Sequence, residues 1–119
     1  MSKIHYSQLT VWQKAMQLTE KVYRIIPFFP LEERYALAAQ IRRAAVSIPS
    51  NIAEGCGRQT DREFRHFLYI ARGSVYEVET QLHIAIRQSY ITTQQASPIF
   101  KECTEVAKML YFFAEKLEQ

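Results

Sequence analysis

Glycine is scarce in this chain, and that scarcity constrains the fold more than any other feature. Only Gly55, Gly57 and Gly73 occur among 119 residues, and the first two sit together between long segments in which apolar residues return every three or four positions. Few breaks and a helical period favour helices over strands. The first segment runs from about Thr10 to Ile26, with Val11, Ala15, Leu18, Val22 and Ile25 on one face and Pro27 and Pro30 bracketing its end. The second, about Leu31 to Glu54, places Leu37, Ile41, Ala44, Ile48 and Ile52 together, with Gly55 and Gly57 as its stop.

Pro49 interrupts that second segment by removing one backbone hydrogen bond and crowding the carbonyl of Ala45. The apolar face continues in phase across it, so a kinked helix is expected in preference to a break recapped by Asn51 with Glu54. The third segment opens at Thr60 or Asp61 and turns Phe64, Phe67, Leu68, Ala71, Val75, Val78, Leu82 and Ile86 inward. The fourth, about Thr93 to Leu117, aligns Ile99, Val106, Leu110, Phe113 and Leu117, with Pro98 tolerable only in the first turn. Four helices with short connections imply an all-α, antiparallel up-and-down bundle. A length of 119 residues at 48% hydrophobic suits one domain over residues 1–119 with one core.

Several function classes are set aside by what the chain contains. Charges break every apolar run well short of the roughly 20 residues that span a bilayer, and the start lacks the apolar stretch of a secretory signal. A soluble, cytoplasmic protein with no membrane partner is expected. Cys56 and Cys103 are far apart and outside any CxxC spacing, so neither a zinc ribbon nor a redox motif is suggested. A di-iron bundle needs inward carboxylates and two inward Glu-x-x-His motifs. Glu63-Phe64-Arg65-His66 is the one such motif, and with Phe64 inward its His66 points away from the core. His5, His66 and His83 have no ligand companions at metal-binding spacing, and solvated histidines are expected. No nucleophile elbow or phosphate-cradling glycine loop occurs, and Gly55-Cys56-Gly57 reads as a helix end. Neither a catalytic residue, a cofactor, a metal nor a small-molecule substrate is predicted.

The outward side of the third helix is more informative. Arg62, Arg65, Tyr69, Arg72, Tyr76, His83 and Arg87 fall within about a quarter of the helical wheel. Arginines interleaved with tyrosines suit phosphate pairing and base stacking, with Arg42, Arg43 and Arg58 as neighbours. The competing reading is a solvated flank, salt-bridged to glutamates of a neighbouring helix. A net charge of +3 permits an acidic partner without requiring one.

The second helix has a further oddity. Opposite its core face lie Tyr35, Ala39, Val46 and Ala53, and Ile70 and Ile84 likewise sit off the core face of the third helix. A helix that is apolar on two sides has two things to pack against, which favours a homo-oligomer over one broad core.

The stretch from Arg42 through Arg43-Ala44-Ala45-Val46-Ser47-Ile48-Pro49-Ser50-Asn51-Ile52-Ala53-Glu54 to Gly55 closely resembles the signature of the bacterial four helix bundle proteins, also called 23S rRNA intervening-sequence or S23-type proteins. The likeness extends to Val11-Trp12-Gln13-Lys14-Ala15, to Glu63-Phe64 with Phe67-Leu68-Tyr69-Ile70-Ala71, and to Glu77-Val78-Glu79-Thr80-Gln81-Leu82. In the fourth helix it rests on the apolar pattern alone. The resemblance implies an antiparallel four-helix bundle that assembles into a ring, a homopentamer in known members, with a basic surface. Some members are encoded within intervening sequences of ribosomal RNA genes, and a related accessory protein of diversity-generating retroelements partners a reverse transcriptase and binds nucleic acid. None is an established enzyme, and the family offers no agreed catalytic or ligand-binding residues. Two function classes therefore follow: an oligomeric accessory protein that binds RNA, DNA or a nucleic-acid enzyme, or a scaffold whose partner is another protein.

Overall fold

The computed structural model describes residues 4–117. The four periodic segments form helices α1 (Thr10–Ile25), α2 (Leu37–Cys56), α3 (Asp61–Arg87) and α4 (Thr93–Lys116), and no strand occurs among the described residues. Each helix packs on the next and α1 closes against α4, the α2–α3 seam being the most extensive. Along each of three seams the partner number falls as the residue number rises: Ser47 with Ser74 then Gly55 with Phe67, Tyr69 with Glu115 then Arg72 with Ala107, and Lys14 with Glu105 then Lys21 with Glu102, so these neighbours are antiparallel. The bundle measures 50 × 23 × 20 Å.

Val11, Ala15, Leu18, Val22 and Ile25 of α1 all point inward, as their spacing predicts. They meet Ile41, Ile48 and Ile52 of α2, Leu68, Val75, Val78 and Leu82 of α3, and Ile99, Val106 and Leu110 of α4 in one buried cluster. Burial of each large aliphatic side chain there stabilises the fold by about 1.5–3 kcal/mol. Leu37, Ile86, Phe113 and Leu117 are only half-buried, at the rim of that cluster, and Phe67 is half-buried against Gly55 of α2.

Helix α2 begins later than its apolar pattern suggests. Leu31–Glu33 forms a separate 3-10 turn, and the expected start at Leu31 moves to Leu37. Ala36 at the N-cap has no side chain able to cap. The Glu33 carboxylate takes over: one oxygen accepts the Leu37 N–H at 3.0 Å and the other accepts the Tyr90 hydroxyl at 3.0 Å. A single carboxylate thus starts α2 and holds the α3–α4 connection. Tyr35 consequently lies in the turn before α2, not on the helix.

Helix α2 runs unbroken through Pro49, with no recapping at Asn51, whose amide instead donates to the Ser47 carbonyl at 2.8 Å. Proline deprives the Ala45 carbonyl of its usual donor four residues on. The Thr19 hydroxyl of α1 supplies one, at 3.1 Å, sharing its single proton with the carbonyl of Ala15 at 2.8 Å. Pro98 also lies inside a helix, beyond the first turn of α4 where it was expected. The residue that loses its donor there, Gln94, is exposed like Pro98 itself, so water can replace the missing bond.

Gly55 is likewise not the helix stop that its position suggested. It lies inside α2, while Gly57 forms the C-cap with its N–H on the carbonyls of Ala53 and Glu54, and the Arg58 N–H takes the carbonyl of Gly55. A Cβ at Gly55 would fall 2.6 Å from the Cβ of Phe67 and 3.0 Å from the Phe64 ring. Gly55 is required for close approach of α2 to α3. Helix α3 ends without glycine: Ser89 adopts φ 63°, and the N–H groups of Ser89 and Tyr90 bond back to Ile86 and Ala85.

Two tests follow from this packing. Gly55→Ala should destabilise the bundle by about 1–3 kcal/mol through overpacking, whereas Gly73→Ala, with nothing within 4 Å of the added Cβ, should stabilise it by about 0.5–1 kcal/mol. Opposite shifts of the urea midpoint are the readout. Thr19→Val should cost about 1–3 kcal/mol by orphaning the Ala45 carbonyl. In a Pro49→Ala background, where residue 49 regains its N–H, the same change should cost distinctly less, and a double-mutant cycle measures the difference.

Candidate nucleic-acid interface

The start of α3 is set by the Thr60 hydroxyl, which accepts the Glu63 N–H at 3.1 Å, with Asp61 and Glu63 in the first turn against the helix dipole. From there the core face and the arginine–tyrosine flank wind along 27 residues. That flank is not open to solvent throughout. It forms one wall of the α3–α4 groove, where Arg65, Tyr69 and Arg72 are half-buried while Arg62, Tyr76, His83 and Arg87 are exposed.

Two arginine–tyrosine pairs occupy the groove one after the other. The Arg65 guanidinium lies 5.6 Å from the Tyr69 ring centroid, and that of Arg72 lies 5.2 Å from Tyr76. Arg72 is further held by α4: its Nε donates to the Ala107 carbonyl at 3.3 Å, and its carbon lies 5.2 Å from the Tyr111 ring. The Tyr69 hydroxyl donates to Glu115 at 3.0 Å. A glutamate of the neighbouring helix therefore meets a tyrosine of the stripe. Among the described residues, no carboxylate forms an ion pair with Arg62, Arg72 or Arg87.

The remaining arginines stand apart. Arg58 pairs with Glu54 at 2.9 Å and stacks on Phe67 at 4.7 Å, on the α2 side of α3. Arg42 borders a groove with Ile26, Phe29, Leu31 and Arg34 at the α1–α2 connection. With Ser47 opposite Ser74, Arg42 and Arg43 lie about 20–25 Å along the axis from Arg62 and Arg65. Arg87 is at the far end of α3, roughly 35–40 Å from Arg62. The groove thus gathers Arg65, Tyr69, Arg72 and Tyr76 and leaves the others dispersed. His83 stacks on Phe100 of α4, 4.6 Å between ring centroids.

The structure adds residues the sequence reading passed over. Tyr111 of α4 is an exposed aromatic beside the groove, and Phe112, also exposed, lies on the α1 side of α4 with Leu9 and Val11. A second groove, between α1 and α4, carries Lys14, Lys21, Lys101 and Lys108. Lys14 is paired with Glu105 and Lys21 with Glu102, so its positive charge is half neutralised and its ion pairs act as seam contacts.

The apolar residues off the core are spread over α2, the turn before it and α3. Val46 and Ala53 border a groove with Trp12, Met16 and Pro49 between α1 and α2. Ile70 and Ile84 are exposed on α3, Ala39 is half-buried on α2, and Tyr35 is 88% exposed. None of these sites assembles a nucleophile or a metal cage. Burial, with the charges of Glu79 and Glu102 beside it, pushes the Cys103 thiol up to about 12, far from thiolate at neutral pH. Among the described residues no three His, Cys, Asp or Glu side chains could hold a metal ion, and no helix is long and apolar enough to cross a membrane.

Comparison with known proteins agrees with this architecture. No curated protein matches the chain in sequence. A crystal structure of a protein of unknown function from the S23 ribosomal protein family of Bacteroides thetaiotaomicron VPI-5482 is 29% identical, superposes with a TM-score of 0.81, and covers 88% of this chain and 98% of its own. The four-helix bundle is shared across that span. The model of the 23S rRNA-intervening sequence proteins matches residues 7–112, and the chain belongs to that family.

Proposed function

We propose that this protein is a non-catalytic, cytoplasmic homo-oligomer that binds nucleic acid, or an enzyme bound to nucleic acid, through the α3–α4 groove. The observation that carries the reading is the pairing of Arg65 with Tyr69 and of Arg72 with Tyr76, cationic groups set against partly accessible rings. Guanidinium groups bind phosphate and tyrosine rings accept bases. One subunit offers few such groups, but an oligomer repeats them, and effective concentration multiplies weak contacts. The family's name, which refers to an intervening sequence of 23S rRNA, is in keeping with this. A second reading, a protein scaffold, is favoured by the exposed Phe28, Leu31 and Tyr35 around the α1–α2 connection.

Phosphate contacts make such binding largely sequence-independent and strongly salt-dependent. Gel-shift titration at low salt should show binding to RNA or DNA, and neutralising Arg62, Arg65 and Arg72 to Gln should lower the affinity and reduce the salt slope by roughly two to three units. Absence of binding at about 100 μM, the weak end of the non-specific range, would leave the scaffold as the surviving function. Light scattering should report an oligomer, a ring of five if the family resemblance extends to assembly. Val46→Glu should dissociate it, because an unpaired charge in an apolar contact costs several kcal/mol. A monomer for the unmodified protein at micromolar concentrations would refute the assembly.

A further inference from the structure

We propose that Tyr76 and Tyr111, with Arg72 held between them, form a stacking site that selects single-stranded over duplex nucleic acid. The inference rests on the nucleic-acid reading above and narrows it to one strand form and one constellation, half of it supplied by α4.

Four contacts determine the position of Arg72. Its carbon lies 5.2 Å from each of two tyrosine rings, its Nε donates to the Ala107 carbonyl at 3.3 Å, and its Nη2 donates to the Tyr76 hydroxyl at 3.0 Å. Every one of these partners is neutral, and no described carboxylate forms an ion pair with it. The side chain is ordered while its charge remains uncompensated. Water solvates the part of the guanidinium left accessible, and an anion that displaces that water finds the rotamer entropy of the arginine already lost.

The rings around this cation identify the anion. Tyr76 and Tyr111 keep 45% and 39% exposure although each already touches the guanidinium. A ring recruited only to pack the seam would be covered, as Phe64 is, 9% exposed against the ring of Phe113. A fixed guanidinium flanked by accessible flat rings matches a nucleotide, whose phosphate and base lie side by side. In a duplex both faces of each base are already stacked, and extruding one costs a few kcal/mol. A duplex can therefore use the cation but not the rings.

Tyr69, the ring the α3 stripe would favour, fits this role less well. Its hydroxyl is tied to the Glu115 carboxylate at 3.0 Å, which places negative charge where a phosphate would approach. The site accordingly lies further along the groove, at Tyr76 and Tyr111.

The test is fluorescence anisotropy at low salt with the full-length protein and three labelled probes: oligo(dT), oligo(U) and a DNA duplex of the same length. Tyr111→Ala should weaken both single-stranded probes about fivefold or more, the range for loss of one base–ring stack, and weaken the duplex much less. Tyr111→Phe, which keeps the ring, should recover most of the loss, and Tyr76→Ala should repeat the single-strand defect. Circular dichroism melting confirms that each variant is folded, and Tyr76→Ala stands in should Tyr111→Ala prove unstable. Equal losses on single strand and duplex, or no loss on either, would overturn the stacking site while leaving phosphate binding intact. If the unmodified protein binds none of the probes, the parent reading fails and the site with it.

Discussion

The close seam between α2 and α3 is the contact on which the rest of the arrangement depends. Gly55 leaves no room for a Cβ against Phe67, and about two turns away Ser47 and Ser74 share a hydrogen bond of 3.0 Å. Small residues at these crossings let the two backbones approach, and interlocked surfaces at that distance do not rotate freely. The seam therefore fixes the rotation of α3 about its own axis. Once that is set, Leu68, Val75 and Leu82 enter the core and the arginine–tyrosine flank is delivered to α4.

The seams meet their polar demands by different means. Across α1 and α4 the contacts are ion pairs, Lys14 with Glu105 and Lys21 with Glu102, partly exposed and of modest energetic weight. Across α1 and α2 a hydroxyl repairs a backbone, Thr19 serving the carbonyl that Pro49 leaves open. Across α3 and α4 an arginine is held by rings, a hydroxyl and a carbonyl, which orders its charge without cancelling it. Only the last arrangement leaves a strong, oriented charge available at the surface.

Membership of the 23S rRNA-intervening sequence protein family brings an architecture. It brings no chemistry by itself, since the solved relative from Bacteroides is described as a protein with unknown function. Function has to be argued from the surface of the bundle. On that surface the arginines are dispersed over more than one face, and the α3–α4 groove is where cation and aromatic groups converge.

The four helices, their inward faces and the outward displacement of the arginines were legible in the residues, because a period near 3.6 is a property of local geometry. Val11 through Ile25 in α1 and Phe64 through Leu82 in α3 needed nothing more. The start of α2 was misread because Glu33 caps it across four residues and binds Tyr90, a partner 57 positions away. Gly55 was taken for a stop since its neighbour across the seam, Phe67, is invisible in a single helix. Pro49 was legible as a perturbation of its helix, but the Thr19 hydroxyl that repairs the backbone comes from α1. Nor could periodicity pair Tyr111 with Arg72: an up-and-down bundle can turn either way, and its handedness decides which helix lies beside a given flank of α3. That choice belongs to the packing of all four helices together, so the amphipathic elements were written in the sequence while the composition of the groove was decided only by the tertiary structure.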